Sequence, residues 1–531
     1  MLFLLAMVVQ ENYGLLPSIY ADELGKQYSD TVEKEHKKKL GQYFTPQEVA
    51  AYMATFYKVP HDKTSLRILD PGCGLGILSC ALCEYLADSG RISEIYLVVF
   101  ETDLQLIELA HRAFEYLQRW LQRKGIQFNY HLCANDFVLH NTSVLLGEEP
   151  ADTLYDLAIS NPPYFKISKD NPLRKVTKSI LSGQQNIYSI FVFLMIRLLS
   201  DRGTIIFISP RSFTSGGYFR TFRNFLFNNV AIENLHLFHS RKSVFKRDRV
   251  LQENVILTGK KRPPNFRAQV HLFEDVNDVN VFQSAGIDDI YLRECKKYQI
   301  ADLVNLSSDQ KILHIPMSDK DENAIAVFKK WENSFCRSRI KISTGPVVSF
   351  RANGYVVKTS KKNTVPLLWL NNVSKMDLKW PIAEIAEERP QYLVNIEKTR
   401  PLLVANQNMV IIRRFSSKDD VSKLIAAPLF KNDFKYNYIG LENHVNYLYG
   451  VDEQLSDLSV WGIASLLNST LFDVYFRTFN GNINVSATEL RELPLPDMEI
   501  INKLGRAVRK IGDLNQAKLD EIVSKTFNLT N

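Results

Sequence analysis

Leu66-Arg67-Ile68-Leu69-Asp70-Pro71-Gly72-Cys73-Gly74-Leu75-Gly76 is the stretch from which the fold can be read. A short apolar run ends in a carboxylate, breaks at Pro71 and enters a glycine-rich turn. Ile77, Leu78, Leu82 and Leu86 then recur at helical spacing. The order is strand, tight turn, helix. Glycine lets the backbone turn sharply and approach a ligand closely. No Gly-Lys-Ser/Thr follows, and the spacing is not a clean G-x-G-x-x-G, so neither common phosphate loop is present. Alone, the stretch is compatible with an ordinary turn.

Reading outward, the same rhythm repeats. Ile95 to Phe100 is a second buried-type run ending in Glu101, and Asp103 to about Gln122 is helical. Phe128 to Cys133, Leu154 to Ser160 and Gly203 to Ser209 follow as strands, with an apolar helix from Asn186 to Leu199. Ile232 to Phe238 and Asn254 to Thr258 complete the set. Strands alternating with helices make an α/β, doubly wound, largely parallel sheet, here of seven strands, covered on both faces. Ligands in such sheets bind beyond the carboxyl ends of the strands, where the polar and glycine-rich clusters of this chain sit. The rhythm is lost at Lys260-Lys261-Arg262-Pro263-Pro264. The domain boundary is therefore placed near residue 265, giving an α/β domain over 1–265 and a mixed α+β domain over 266–531.

The clusters carry the chemistry. Glu101, ending the strand after the glycine turn, can accept hydrogen bonds from both hydroxyls of a ribose. Asp70 beside the glycines suits a cationic or zwitterionic ligand, whereas a diphosphate favours a helix N-terminus free of acid. S-adenosylmethionine has a ribose, an amino group and a sulfonium, and no phosphate. Asn135-Asp136-Phe137 follows the third strand. Asp136 can accept from an adenine amine while Phe137 packs on its ring, and a helix N-cap with a core Phe explains the pair equally well. Asn161-Pro162-Pro163-Tyr164 follows the fourth strand. Its prolines fix the backbone and remove two donors. Carbonyl oxygens and the Asn161 amide oxygen remain as acceptors, with Tyr164 as a flat face. Such a site suits a planar exocyclic amine, whose nitrogen it aims at an electrophilic methyl by positioning alone.

Composition limits the alternatives. The chain has 531 residues, is 45% hydrophobic and 23% charged, and carries a net charge of +7, which excludes disordered, collagen-like and coiled-coil classes. The basic excess permits a polyanionic partner without demanding one. Six scattered cysteines read as reduced thiols in a cytosol. Cys80 and Cys83 form a lone C-x-x-C inside an apolar helix, which reads as core rather than zinc. There is no Pro-Cys nucleophile, and no cluster has metal-ligand spacing. Met1 to Val9 is much shorter than the ~20 residues of a membrane span. It lacks the features of a signal peptide and is expected to pack on the body of the protein.

With these residues in order, the chain resembles the gamma-class N6-adenine DNA methyltransferases of bacterial type II restriction–modification systems. Gly41-Gln42-Tyr43-Phe44-Thr45-Pro46, followed by an apolar helix, is similar to the family's N-terminal cofactor motif. The Asp70 loop, Glu101, Asp136-Phe137 and Asn161-Pro162-Pro163-Tyr164 follow in the family's order. The resemblance implies S-adenosylmethionine as cofactor. Tyr43, Thr45, Asp70, Gly72 and Gly74 would lie on its methionine side, Glu101 on the ribose, and Asp136 with Phe137 on the adenine. Asn161 and the Pro162 carbonyl would bind the target amine, with Tyr164 stacked on a flipped base. Phe245, in Ser243-Val244-Phe245-Lys246, matches a second stacking position, although a core role explains it nearly as well. The segment 266–531 would be a target recognition domain, with Asn480-Gly481-Asn482-Ile483-Asn484-Val485-Ser486 and Leu493-Pro494-Leu495-Pro496 matching its end.

The resemblance further implies a monomer in the bacterial cytoplasm that partners double-stranded DNA. A cognate restriction endonuclease would be a functional partner without a physical complex, and neither a metal nor a membrane would be involved. Of the basic residues in the second half, about a third are expected to meet phosphates, with Arg413 and Arg414 on opposite sides of their strand. Three rivals share the same geometry. An N4-cytosine DNA methyltransferase usually has Ser or Asp at the position of Asn161. An RNA or protein-glutamine amine methyltransferase lacks the 41–46 segment and so long a second half. A non-catalytic DNA-binding specificity subunit could retain a cofactor fold.

Overall fold

The computed structural model describes residues 14–32, 41–168, 170–177, 186–238, 253–263, 278–291, 294–415, 422–481, 484–491 and 493–529. The segment Met1 to Val9 and Phe245 lie outside them. The chain forms two compact units, Met1–Thr214 with Tyr218–Ile315, and Ser215–Gly217 with Pro316–Asn531. Among the described residues no helix is long and apolar enough to cross a membrane.

The first unit is built on one sheet. Its strands are β1 (Ser65–Pro71), β2 (Glu94–Phe100), β3 (Gln127–Cys133), β4 (Tyr155–Ser160), β5 (Leu199–Pro210), β6 (Val230–Phe238), β7 (Asn254–Lys261), β8 (Asp278–Ser284) and β9 (Glu294–Gln299). Their spatial order is 3-2-1-4-5-7-6-8-9. β3, β2, β1, β4 and β5 run parallel. β7 is antiparallel to both β5 and β6. The chain moves outward one way from β1 to β3 and the other way from β4 to β5. The carboxyl ends of β1 and β4 therefore flank the switch point where such sheets leave a crevice.

Helix α1 (Pro17–Thr31) packs on α3 (Ile77–Asp88) and α4 (Leu104–Arg123). There the Ser18 N–H and hydroxyl both donate to the Glu84 carboxylate, at 2.5 and 2.9 Å. Burial pushes Glu84 up to about 6. Helix α2 (Gln47–Ala54) buries Val49, Ala50 and Met53 in the same core. Helix α5 (Ile187–Leu198) is apolar on nearly every side and is buried except at Arg197, as expected of a helix enclosed by other elements.

The sheet carries nine strands among the described residues, where the sequence gives seven, and the first unit runs to Ile315 rather than ending near 265. β8 pairs in parallel with β6, and β9 caps β8. The cue fails for a physical reason. β8 buries Val279 and Val281 between polar neighbours, and β9 is an exposed edge bearing Lys296 and Lys297. Charged edges protect a sheet from further pairing, but they leave no apolar run to read.

Among the described residues the second unit holds two larger sheets, two two-stranded ones and a helical cluster. β10 (Ile340–Thr344), β15 (Met409–Arg413), β16 (Ala426–Leu429) and β18 (Val445–Gly450) form an antiparallel sheet in the order 10-18-15-16. The other is ordered 11-13-12-17-14, from β11 (Val356–Val357), β12 (Thr364–Leu368), β13 (Tyr392–Val394), β14 (Leu403–Ala405) and β17 (Tyr438–Leu441). Arg413 donates to the Val373 carbonyl at 2.7 Å and Arg414 to the Asn443 carbonyl at 3.0 Å. Both guanidinium groups thus hold this unit's own backbone, which weakens the expectation that they contact phosphates.

Candidate active site

The crevice at the carboxyl ends of β1 to β4 is lined by all five of the motifs singled out in the sequence. Tyr43, Gly72, Gly74, Glu101, Asp136, Phe137 and Asn161 all face one cavity in the first unit. The glycine turn makes this possible. Gly72 and Gly74 have φ of +71° and +56°, a region that side chains with a Cβ avoid. The N–H groups of Gly72 and Cys73 both donate to the Phe100 carbonyl, at 2.9 and 3.0 Å, which pins the turn to the end of β2. A Cβ on Gly74 would lie 3.4 Å from the Phe44 ring, and one on Gly72 3.4 Å from the Phe191 ring.

Two carboxylates stand on the cavity wall. Glu101 accepts the Gly74 N–H at 3.1 Å through Oε2, and the N–H groups of Thr102 and Asp103 at 2.7 and 3.0 Å through Oε1. Burial nonetheless raises its pKa, outweighing those three donors. Asp136 is an N-cap that also faces the cavity. Its Oδ1 caps the turn Phe137–His140 by accepting from Val138 and Leu139, each at 2.9 Å, and the residue also lines the cavity. Phe137 is buried and meets Phe100 edge-on at 5.1 Å.

Asp70 departs from expectation. It is fully buried and lies behind the glycine turn rather than on the cavity wall. Its Oδ2 accepts the Ser79 hydroxyl at 2.7 Å, and its Oδ1 has no hydrogen-bond partner. Burial pushes its pKa up to about 7, the Glu101 charge adds to the shift, and the Ser79 hydroxyl opposes it.

Asn161 heads the acceptor segment. Its Nδ2 donates to the Tyr43 carbonyl at 2.7 Å and lies 3.0 Å from Thr45 Oγ1. With the nitrogen so engaged, the amide oxygen is fixed on the opposite side as an acceptor. That oxygen takes a hydrogen bond from the Tyr164 hydroxyl, which also lies 3.1 Å from the Ile208 carbonyl. The sequence suggests an open acceptor and an exposed ring. Instead the hydroxyl of Tyr164 occupies the Asn161 oxygen, and its half-buried ring stacks on Tyr43 at 5.7 Å. Pro162 and Thr45 are both buried, Thr45 at 5% exposed.

Other contributors were not singled out. Asp103 caps α4 through Oδ1, while its Oδ2 accepts from Tyr28 at 2.9 Å and Gln42 at 3.0 Å. This network ties the 41–46 segment to the helix beside Glu101. Phe44, Phe100, Phe165 and Phe191 supply the apolar walls. Phe44, Phe100 and Phe165 each lie in or next to a motif, whereas nothing in the sequence around Phe191 marks it.

The donor set fits S-adenosylmethionine. The described lining residues include two carboxylates and no Lys, Arg or His, a balance that favours a cation and opposes a phosphate. Among the described residues no group of three or more His, Cys, Asp or Glu could hold a metal ion.

Comparison with known proteins agrees. Residues 89–245 match the family described as Eco57I restriction-modification methylase. The chain is 32% identical over 497 residues to the type II methyltransferase M.BsuBI of Bacillus subtilis, covering 92% of this chain and 93% of that protein. It is 29% identical over 519 residues to the type II methyltransferase M.PstI of Providencia stuartii, covering 96% and 97%. Among solved structures, the type IIL restriction-modification enzyme MmeI in complex with DNA aligns with a TM-score of 0.50 at 12% identity. That alignment covers 96% of this chain and 74% of that one, a likeness of fold.

Proposed function

Because the chain belongs to the type II DNA methyltransferases of restriction–modification systems, which use S-adenosylmethionine, we propose that it methylates N6 of an adenine extruded from a specific duplex sequence. In this reading the modification protects host DNA from a cognate restriction endonuclease. The observation that carries it is the fixed orientation of the Asn161 amide. Its nitrogen is engaged by Tyr43 and Thr45, so its oxygen can only accept, and it now accepts from an O–H. An exocyclic amine offers an N–H in place of that hydroxyl.

S-adenosylmethionine supplies an electrophilic methyl carbon on its sulfonium. In the proposed mechanism Asn161 Oδ1 and the Pro162 carbonyl accept the two N–H bonds of the target amine, which orients the nitrogen lone pair. Tyr164, once its hydroxyl leaves Asn161, presents its ring to the base. Stacking of this kind contributes about 1–3 kcal/mol per base and helps offset extrusion. Glu101 would hold the ribose and Asp136 the adenine of the cofactor. As the nitrogen–carbon bond forms, the methyl's bond to sulfur would break to leave a neutral thioether, and the proton on the alkylated nitrogen, now acidic, is lost to water. The second unit is proposed as the target recognition domain.

Asn at position 161 favours adenine over cytosine as the acceptor. The test is modified-base sequencing of genomic DNA from a host expressing the chain, with nucleoside analysis of the product. N6-methyladenine at one recurring sequence is expected. N4-methylcytosine would overturn the adenine reading, and an absence of DNA methylation would overturn the reading as a whole.

A further inference from the structure

Gly41, Gln42, Tyr43 and Phe44 all line the cavity of the first unit, and side-chain hydrogen bonds fasten their segment at two points. At one, the Tyr43 carbonyl and Thr45 Oγ1 meet Asn161 Nδ2, at 2.7 and 3.0 Å. At the other, Gln42 Nε2 donates to Asp103 Oδ2 at 3.0 Å. Glu101 and Thr102, immediately before Asp103, line the same cavity. The Gln42–Asp103 bond therefore joins two stretches of lining that come from separate parts of the chain. Tyr28, on α1, backs this bond. It is 3% exposed, its ring meets Phe44 edge-on at 5.6 Å, and its hydroxyl lies 2.9 Å from Asp103 Oδ2 and 3.1 Å from Gln42 Oε1. Burial and the Asp103 carboxylate raise the pKa of that hydroxyl, which keeps it a donor.

Asp103 does three separable things. Its N–H donates to Glu101 Oε1 at 3.0 Å, its Oδ1 accepts the Gln105 N–H at 3.0 Å to cap α4, and its Oδ2 takes Gln42 and Tyr28. An asparagine would serve the first two equally well. Only the third requires a second acceptor oxygen, and a carboxylate holds its donors more strongly than a neutral group. The charge also has a cost. Burial, and to a lesser degree the Asp103 charge, raise the pKa of Glu101. We propose that Asp103 is a positioning residue for the cofactor: through Gln42 and Tyr28 its second oxygen latches the 41–46 segment in place against bound S-adenosylmethionine and sets how long the cofactor stays. This rests on the reading of the cavity as the cofactor site. Without the latch the binding-competent arrangement is populated less, and apparent affinity falls by that fraction.

The test uses the full chain and S-adenosylmethionine itself. Equilibrium binding and the rate of cofactor displacement are compared for wild type, Tyr28→Phe, Asp103→Asn, Gln42→Glu and the double variant Asp103→Asn/Gln42→Glu. Asp103→Asn turns the acceptor into a donor and is expected to weaken binding about 10- to 100-fold, with faster dissociation. Tyr28→Phe keeps the ring on Phe44 and should weaken it about 2- to 10-fold. Methylation at saturating cofactor should fall much less than affinity, so that the loss appears in KM. The double variant sets an amide against a carboxylate with the total charge unchanged, which restores the bond with its polarity reversed. It should bind the cofactor more tightly than the two single effects multiplied together predict. Unaltered affinity in Asp103→Asn, a loss confined to kcat, or a double variant that matches the product of the singles would overturn the latch. If urea unfolding shows that Asp103→Asn folds poorly, unaltered affinity in Tyr28→Phe overturns it alone. A wild-type chain that binds no S-adenosylmethionine would refute the reading of the cavity instead.

Discussion

Replacing Tyr164 with Phe and with Ala separates two roles for one side chain. The Tyr164 hydroxyl holds the Asn161 oxygen that the target amine is proposed to use, and the Ile208 carbonyl stands 3.1 Å away as its alternative acceptor. Seating the amine requires that bond to break. A hydrogen bond of this kind has a net worth of about 1 kcal/mol. Tyr164→Phe removes the competitor and keeps the ring, so single-turnover methylation at saturating cofactor should stay level or rise, by about fivefold at most. Tyr164→Ala removes the stacking surface as well, and about 1–3 kcal/mol lost there slows the reaction about 5- to 150-fold. Rapid-quench methylation of a duplex containing the target site measures both, with cofactor affinity determined separately by equilibrium binding. If Tyr164→Phe falls as far as Tyr164→Ala, the hydroxyl has a positive role in the reaction and the competition argument is wrong. If Tyr164→Ala keeps the full rate, the ring does not stack on the base.

Asn161→Ala should lower the single-turnover rate by about 10²–10³-fold, as loss of an electrostatic anchor on the reacting group does. Cofactor affinity should fall less, about tenfold, because the Tyr43–Thr45 segment loses its tie to Asn161; quench kinetics and equilibrium binding separate the two. Asp70, at about 7 in the folded chain against 3.8 ordinarily, binds more protons folded than unfolded between those values. The cofactor-free protein should therefore lose stability as pH rises from about 4 through about 7, and Asp70→Asn should restore up to about 4 kcal/mol above that range. Urea unfolding at pH 5 and pH 8 checks the sign, and a mutant no more stable than wild type at pH 8 would contradict it. Gly76→Ala combines a φ of +78° with a Cβ 2.6 Å from the Phe114 ring. It should cost about 2–4 kcal/mol by the same assay. Gly90→Ala, with φ of +65° and open space around it, should cost only about 1 kcal/mol.

The inner strands and their motif loops were legible because each is a local signal: an apolar run, then turn or acceptor residues, then helical spacing. The cavity did collect Tyr43, Gly72, Gly74, Glu101, Asp136, Phe137 and Asn161 from segments far apart in the chain. β8 and β9 were not legible, since alternating or charged edge strands lack such a run. The fate of Asp70 was equally hidden. Its position after an apolar strand says that it sits near the crevice, but not on which side of the turn.

The sequence by itself determined the order of the first seven strands and the chemical character of the crevice: acids, glycines and an Asn-Pro-Pro-Tyr segment, with no basic residue among them. These follow from residue type and spacing within a few turns of chain. Only the tertiary structure decided which atoms are already taken. That the Asn161 oxygen is held by Tyr164 and that one oxygen of Asp70 has no partner depend on groups brought together by folding. A hydrogen bond is fixed by distances of a few tenths of an ångström between such groups, and residue spacing along the chain does not encode distance at that scale.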